Sequence, residues 1–326
     1  MMAAHRTMLV LLAGLAWAAL STEVHANDST AILKSGELQL TTSPHIALDR
    51  EDLFISASEI GVRYSFRNTS NRDVVTLVAF PLPEIIIGDD ANYSVEAKDP
   101  VNFIDFKVHV NGQPVTPALQ LRATRFGIDQ TALLTRLGVP ILPFGESFYP
   151  RLEKISGSGR KELGEAGLAD WNTSFGANNV PLPSPHWHAH ATYFWKQTFP
   201  AGAVTEVSHS YRPVPGISFY SPEILADKLM QGTYCMDKSF RRTAKHKLAK
   251  TQNAFVRELH YVLTTGANWL GTIGKFHLTI DKGSPRNLVS LCIKGIKKTG
   301  PTTFEVTRKD FIPQRDLKIL ILEPQN

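Results

Sequence analysis

The stretch from Glu59 to Pro83 constrains the fold of this chain more than any other. Val62, Tyr64 and Phe66 alternate with Arg63, Ser65 and Arg67, which is the period-two pattern of a strand with one face buried and one in water. A polar run, residues 68–73, then supplies a turn. The returning segment Val74 to Phe80 is apolar on both parities, through Val74, Val78 and Phe80 and through Val75, Leu77 and Ala79. It is therefore expected to lie deeper in a sheet than its partner. Pro81 and Pro83 end it, because proline cannot donate to a ladder. Two strands and a turn, read together as a hairpin, make the chain a β protein at its start.

Ahead of that core, His5 and Arg6 precede an apolar run from Met8 to Leu20, followed by Val24-His25-Ala26. A short basic head, an apolar centre and small residues two apart are the pattern of a secretory signal peptide over residues 1–26, with cleavage before Asn27. The run is shorter than the roughly 20 residues of a membrane span, and no later stretch is long and apolar enough to be one. The expected location is periplasmic or secreted. The formal net charge is +5, spread along the chain rather than gathered in the basic stripe of a nucleic-acid binder. Nucleic acid is thus excluded as a partner, and an anionic surface or polymer in the envelope fits better. Of the two cysteines, Cys235 and Cys292, neither has a CxxC partner. In an oxidising compartment the economical reading is one disulfide, against two buried thiols or a reactive cysteine. Such a bridge restricts the unfolded chain by roughly 4 kcal/mol on the chain-entropy account.

Period-two segments continue along the chain. Ile104, Phe106, Val108 and Val110 share one face, and Asn111-Gly112 provides the positive-φ pair of a tight hairpin turn. Residues 27–122 read as an N-terminal β-sandwich domain. Residues 123–185 read as a connector with short helices: one opened by Asp129 and closed near Gly138, a weaker one over residues 162–171, and a proline-rich run at 178–185. SGSGR at 156–160 has the glycines of a phosphate cradle but neither the Lys-Ser/Thr nor the preceding strand, so a surface loop is expected. Residues 186–326 read as a C-terminal β-rich domain. It contains a hairpin turning at Pro200-Ala201-Gly202, later strands such as Lys275 to Asp281, and one helix capped by Asp237. That helix carries Arg241, Arg242 and Lys245, a basic face available for contact with an anionic surface. The fold class is mainly β: two β-sandwich-like antiparallel domains with short helical insertions.

NDSTA at 27–31, the 62–83 segment VRYSFRNTS to AFPLP, TYFWKQTFP at 192–200, Tyr234-Cys235, TTGANW at 264–269 and VSLC at 289–292 together resemble an exported bacterial family catalogued as a domain of unknown function, number 4424 in its series. The resemblance covers essentially the whole mature chain. It implies export from a bacterium and carries no activity, ligand or catalytic residue. The 62–83 segment also resembles, over a short pattern, the start of the von Willebrand-associated inter-α-trypsin type domain, a β-sandwich.

No catalytic motif appears: there is no GxSxG, HExxH, P-loop or GxGxxG behind a strand. Two constellations stand out. His186, His188 and His190 fall on one face if their segment is extended, within reach of a shared Zn or Cu ion, with His209 as a possible fourth ligand; the competing reading is three loop histidines beside a proline-rich connector. Thr265, Asn268 and Trp269 form a polar, glycine-containing loop whose indole offers a platform to a sugar or peptide; equally, Trp269 plugs a sheet end. The favoured function is a non-enzymatic envelope module without a cofactor, binding an envelope protein, glycan or peptide. The alternative is a metal-binding protein or metal-dependent hydrolase built on the three histidines.

Overall fold

The computed structural model describes residues 27–325 apart from 35–36, 89–92, 94, 96–98, 100, 145–147, 176–180, 250 and 252. The expected signal peptide, residues 1–26, lies outside the described residues.

The protein is mainly β. The stretch from Glu59 to Pro83 forms strands Ile60–Asn68 and Val74–Pro81, with the alternation read from sequence: Val62, Tyr64 and Phe66 are buried while Arg63 and Arg67 are exposed. The two do not pair with each other. Ile60–Asn68 lies between Ile46–Ser56 and Val204–Tyr211 in an eight-stranded sheet. Val74–Pro81 lies between Ser29–Lys34 and Trp187–Phe199 in a seven-stranded one. The polar run at 68–73 therefore carries the chain across from one sheet to the other. The predicted hairpin turning at residues 200–202 behaves the same way, since Trp187–Phe199 and Val204–Tyr211 also belong to different sheets. Inward-facing alternation is identical for a hairpin and for such an arch, so periodicity fixes the buried face and leaves the partner open.

The two arches are stacked. Asn68 N donates to Ala203 O and Gly202 N to Ser70 O, each at 3.0 Å. The buried Asn68 amide joins both turns, donating to Arg72 O at 2.8 Å and Phe199 O at 2.9 Å. Between the sheets the rings meet: Phe66 stands edge-on to Phe199 with centroids 5.8 Å apart, and Phe80 stacks on Phe106 at 5.1 Å. Rings that interdigitate in this way form the core of a two-layer sandwich.

The strand pairing runs across the boundary between residues 27–122 and 186–326. Trp187–Phe199 is hydrogen-bonded to Val74–Pro81, Ile85–Ile87 and Ala118–Arg125. Val204–Tyr211 is held between Ile60–Asn68 and Lys107–Val110. Ile273–Asp281 runs parallel to Ile46–Ser56, which also makes the larger sheet mixed rather than wholly antiparallel. Both large sheets thus draw strands from both halves, because the arches place consecutive strands in opposite layers and leave each to find a distant neighbour. The proline-rich run is not a free connector: Pro181–Pro185 pairs with Ala169–Phe175 in a two-stranded sheet.

A four-stranded sheet, in the order Gly216–Phe219, Ala254–Tyr261, Leu317–Pro324, Leu288–Leu291, completes the β structure. Helix Lys238–Leu248 covers it, packing Ala244 and Leu248 into a satellite core with Val256, Leu320 and Leu322. Its start agrees with the sequence, Asp237 accepting from Phe240 N at 2.6 Å. SGSGR begins helix Gly157–Glu165, with Ser156 as its cap. Asn111 and Gly112, at φ 48° and 79°, make the tight turn joining Lys107–Val110 to Gln113–Val115.

Candidate functional site

The loop holding Thr265, Asn268 and Trp269 is a short 3-10 turn, Thr264–Asn268, and it faces inward. The Thr265 hydroxyl donates to Asn27 O at 2.7 Å and also receives the Asn27 main-chain N–H. Asn268 Nδ2 donates to Ser29 Oγ at 2.9 Å, and Trp269 Nε1 to Asp28 O at 2.7 Å. Trp269 itself is buried, its ring 4.5 Å from that of Phe66. These three side chains grip residues 27–29, which are fully buried. Gly266 is required here, because a Cβ would come within 2.9 Å of Asn27 Nδ2. Sequence separations of 238 to 241 residues explain why no local signal announces this contact.

Two of the three histidines stay together and His186 parts from them. His188 and His190 alternate with the buried Trp187, Ala189 and Ala191, as period two requires. Both reach Glu84: His188 Nδ1 lies 2.9 Å and His190 Nε2 3.6 Å from Oε1. His190 Nε2 also meets Thr124 Oγ1 at 2.9 Å, and burial holds its imidazole below the ordinary range, with Glu84 opposing. His186 precedes the strand and turns to Asp170, 3.0 Å away. His209 lies in the other sheet and pairs with Asp28. Among the described residues no group of three or more His, Cys, Asp or Glu side chains is disposed to hold a metal ion.

Cys235 and Cys292 form a disulfide, tying the end of helix Lys228–Thr233 to strand Leu288–Leu291. On the basic helix Arg242 and Lys245 are exposed and Arg241 is half-buried. Among the described residues no helix is long and apolar enough to cross a membrane.

A cleft of about 740 Å³ lies between the segment Leu82–Gly88 and the four-stranded sheet. Its apolar wall includes Ile85, Ile87, Ile104, Ile217 and Val262, and its polar groups include Glu84, Arg125, Glu258, His260 and Lys318. Glu258 and His260 alternate on strand Ala254–Tyr261 and share Tyr234: its hydroxyl donates to Glu258 and lies 3.2 Å from His260 Nε2. With the phenol proton committed to Glu258, His260 Nε2 must donate, which leaves Nδ1 as an acceptor. Burial pushes the imidazole down to about 4, with Lys318 adding to the shift, so it is neutral at physiological pH. Burial likewise raises the Tyr234 phenol, and the Glu258 carboxylate raises it further. At the floor, the Tyr211 hydroxyl is buried and has no hydrogen-bond partner among the described residues. Sequence reasoning passed over Tyr211, Glu258 and His260. They lie on unremarkable alternating strands, and only the meeting of two sheets gives them a common purpose.

The fold and the cleft define a mainly β, two-layered protein with a groove where a smaller third sheet meets the sandwich. The chain belongs to the family described as Domain of unknown function (DUF4424), whose model matches residues 26–320. No curated protein matches it. Among solved structures it is similar to a candidate nutrient-binding protein from Legionella pneumophila, at 18% sequence identity and a TM-score of 0.46, over 92% of this chain and 70% of that one.

Proposed function

We propose that the protein is an exported, non-enzymatic binding module that takes a short peptide or glycan segment in the cleft beside Leu82–Gly88. The observation that carries this reading is the Tyr211 hydroxyl: buried, unpartnered among the described residues, and bordering a largely apolar hollow. A buried hydroxyl without a partner costs free energy comparable to a lost hydrogen bond, and a ligand oxygen or amide would remove that cost. Apolar walls with a few convergent polar groups are the usual composition of a ligand site. The surrounding chemistry favours binding over turnover. His260 titrates too low to serve as a base near neutrality, and Glu258 is already engaged by the Tyr234 hydroxyl. Export is supported by the leader-like sequence and by the disulfide.

Native mass spectrometry of untagged protein purified from an exporting host tests the proposal. The expected spectrum shows the chain lighter by two hydrogens than its reduced form, with a small organic adduct. Tyr211→Phe should weaken retention of that adduct by about tenfold, the equivalent of one hydrogen bond. An adduct-free protein that also captures nothing from a peptide and oligosaccharide library would sink the proposal.

A further inference from the structure

Among the described residues, a buried carboxylate without a counter-ion sits beside residue 27. Glu51 is fully buried, and its two oxygens accept from Asn27 Nδ2 at 3.3 and 3.2 Å. No cation reaches it among the described residues. The groups whose charge it feels are Asp28 and Asp52, together with the phenols of Tyr64 and Tyr261. His209 is committed to Asp28 through both carboxylate oxygens, at 3.0 and 2.9 Å. Burial pushes the Glu51 carboxyl up to about 8; the Asn27 amide opposes the shift and Asp28 and Asp52 add to it. A lone ionised carboxylate in such a site is strongly disfavoured unless a cation is brought to it.

The site is nonetheless built closely around Asn27. That residue is 0% exposed. Its main-chain N–H donates to Thr265 Oγ1, its carbonyl accepts from the same hydroxyl, and its side-chain oxygen receives Tyr64 OH and Asp28 N. Asn27 is also the residue that follows the Val24-His25-Ala26 cleavage pattern. The geometry points to a processing site: we infer that the Ala26–Asn27 bond is hydrolysed and that the freed α-ammonium of Asn27 is the internal counter-ion of Glu51, so that the buried charge is balanced only after cleavage. The chemistry needs a peptidase and one water. The amide C–N bond breaks, the water oxygen bonds to the Ala26 carbonyl carbon, and both water protons end on the Asn27 nitrogen, giving a carboxylate and an ammonium.

The test compares the chain beginning at Asn27 with the same chain carrying one additional alanine in front, after intact mass has fixed the natural start of the exported protein. A start at Asn27 is expected, and a start elsewhere overturns the inference. The extended chain should melt about 5 °C or more below the free-amine chain, in line with an uncompensated buried charge. Glu51→Gln should abolish that difference; equal melting temperatures in the wild-type background overturn the inference. The pH dependence separates the two chains further. Without the ammonium, the unfolded carboxylate releases its proton near 4.5 while the folded one keeps it to about 8, so the extended chain loses stability as pH rises through that interval. The free-amine chain should show no such loss there. If Glu51→Gln does not fold, the α-amine of isotope-labelled wild-type protein decides: a titration above its ordinary range of about 7.7–8.0 supports the pair, and an ordinary value overturns it. None of these readouts depends on ligand in the cleft.

Discussion

Asp28 and His209 show how single residues hold this core together. Both side chains are wholly buried, and the imidazole is ringed by Tyr64, Phe80, Phe106 and Trp195 with centroids 5.3 to 5.6 Å away. Burial raises the Asp28 carboxyl, and His209 opposes it through charge and hydrogen bond. Attraction in such a place roughly offsets desolvation, so the pair's net worth is small while the loss of one partner is severe. His209→Ala should therefore cost roughly 3–5 kcal/mol in urea unfolding, whereas the double change His209→Phe with Asp28→Leu should recover most of that. A single variant within about 1 kcal/mol of wild type would contradict the account. The same neighbourhood shows what the sequence could convey at this scale. Polarity, glycine and a tryptophan single out residues 264–269 in the sequence. Whether the loop faces a ligand or the protein's own residues 27–29 depends on contacts more than 200 positions distant, which leave no periodicity to read.

Elements were more legible than their pairings. Strand limits followed from alternation and proline, and the basic helix from its aspartate cap, because these signals are local. Both connections present the same inward parity, so alternation alone does not tell an arch from a hairpin, and it is the Asn68 amide spanning two turns that distinguishes them. The cysteines belong to this scale too. The bridge closes a separation of 57 residues around the helix and strands of the satellite core, which has no other covalent tie. Cys292→Ser, or reduction, should lower stability by about 4 kcal/mol on the chain-entropy account. The loss should appear first as faster hydrogen exchange in Lys238–Leu248 and Leu288–Leu291, ahead of the sandwich. Uniform loss of protection across the whole chain would show that the satellite core is not a separate unit.

At the scale of the whole molecule, the pairing makes the two halves interdependent. A fragment of residues 186–326 keeps strand Trp187–Phe199 but loses all three of its hydrogen-bonded neighbours. It strips Val204–Tyr211 of both of its partners and Ile273–Asp281 of the parallel strand Ile46–Ser56. The rings of Phe199 and Trp269 would be bared where they met Phe66, and open strand edges beside exposed aromatic surface favour aggregation over folding. That fragment expressed alone should show no cooperative thermal transition, whereas co-expression with residues 27–185 should yield a soluble one-to-one complex. A sharp transition and dispersed amide spectrum from 186–326 by itself would contradict this, since its strands would then have found partners that the intact fold does not use. The cleft follows the same logic. Its walls come from Leu82–Gly88 on one side and from strands Gly216–Phe219 and Ala254–Tyr261 on the other, so ligand capture should require both fragments and should stabilise the complex between them.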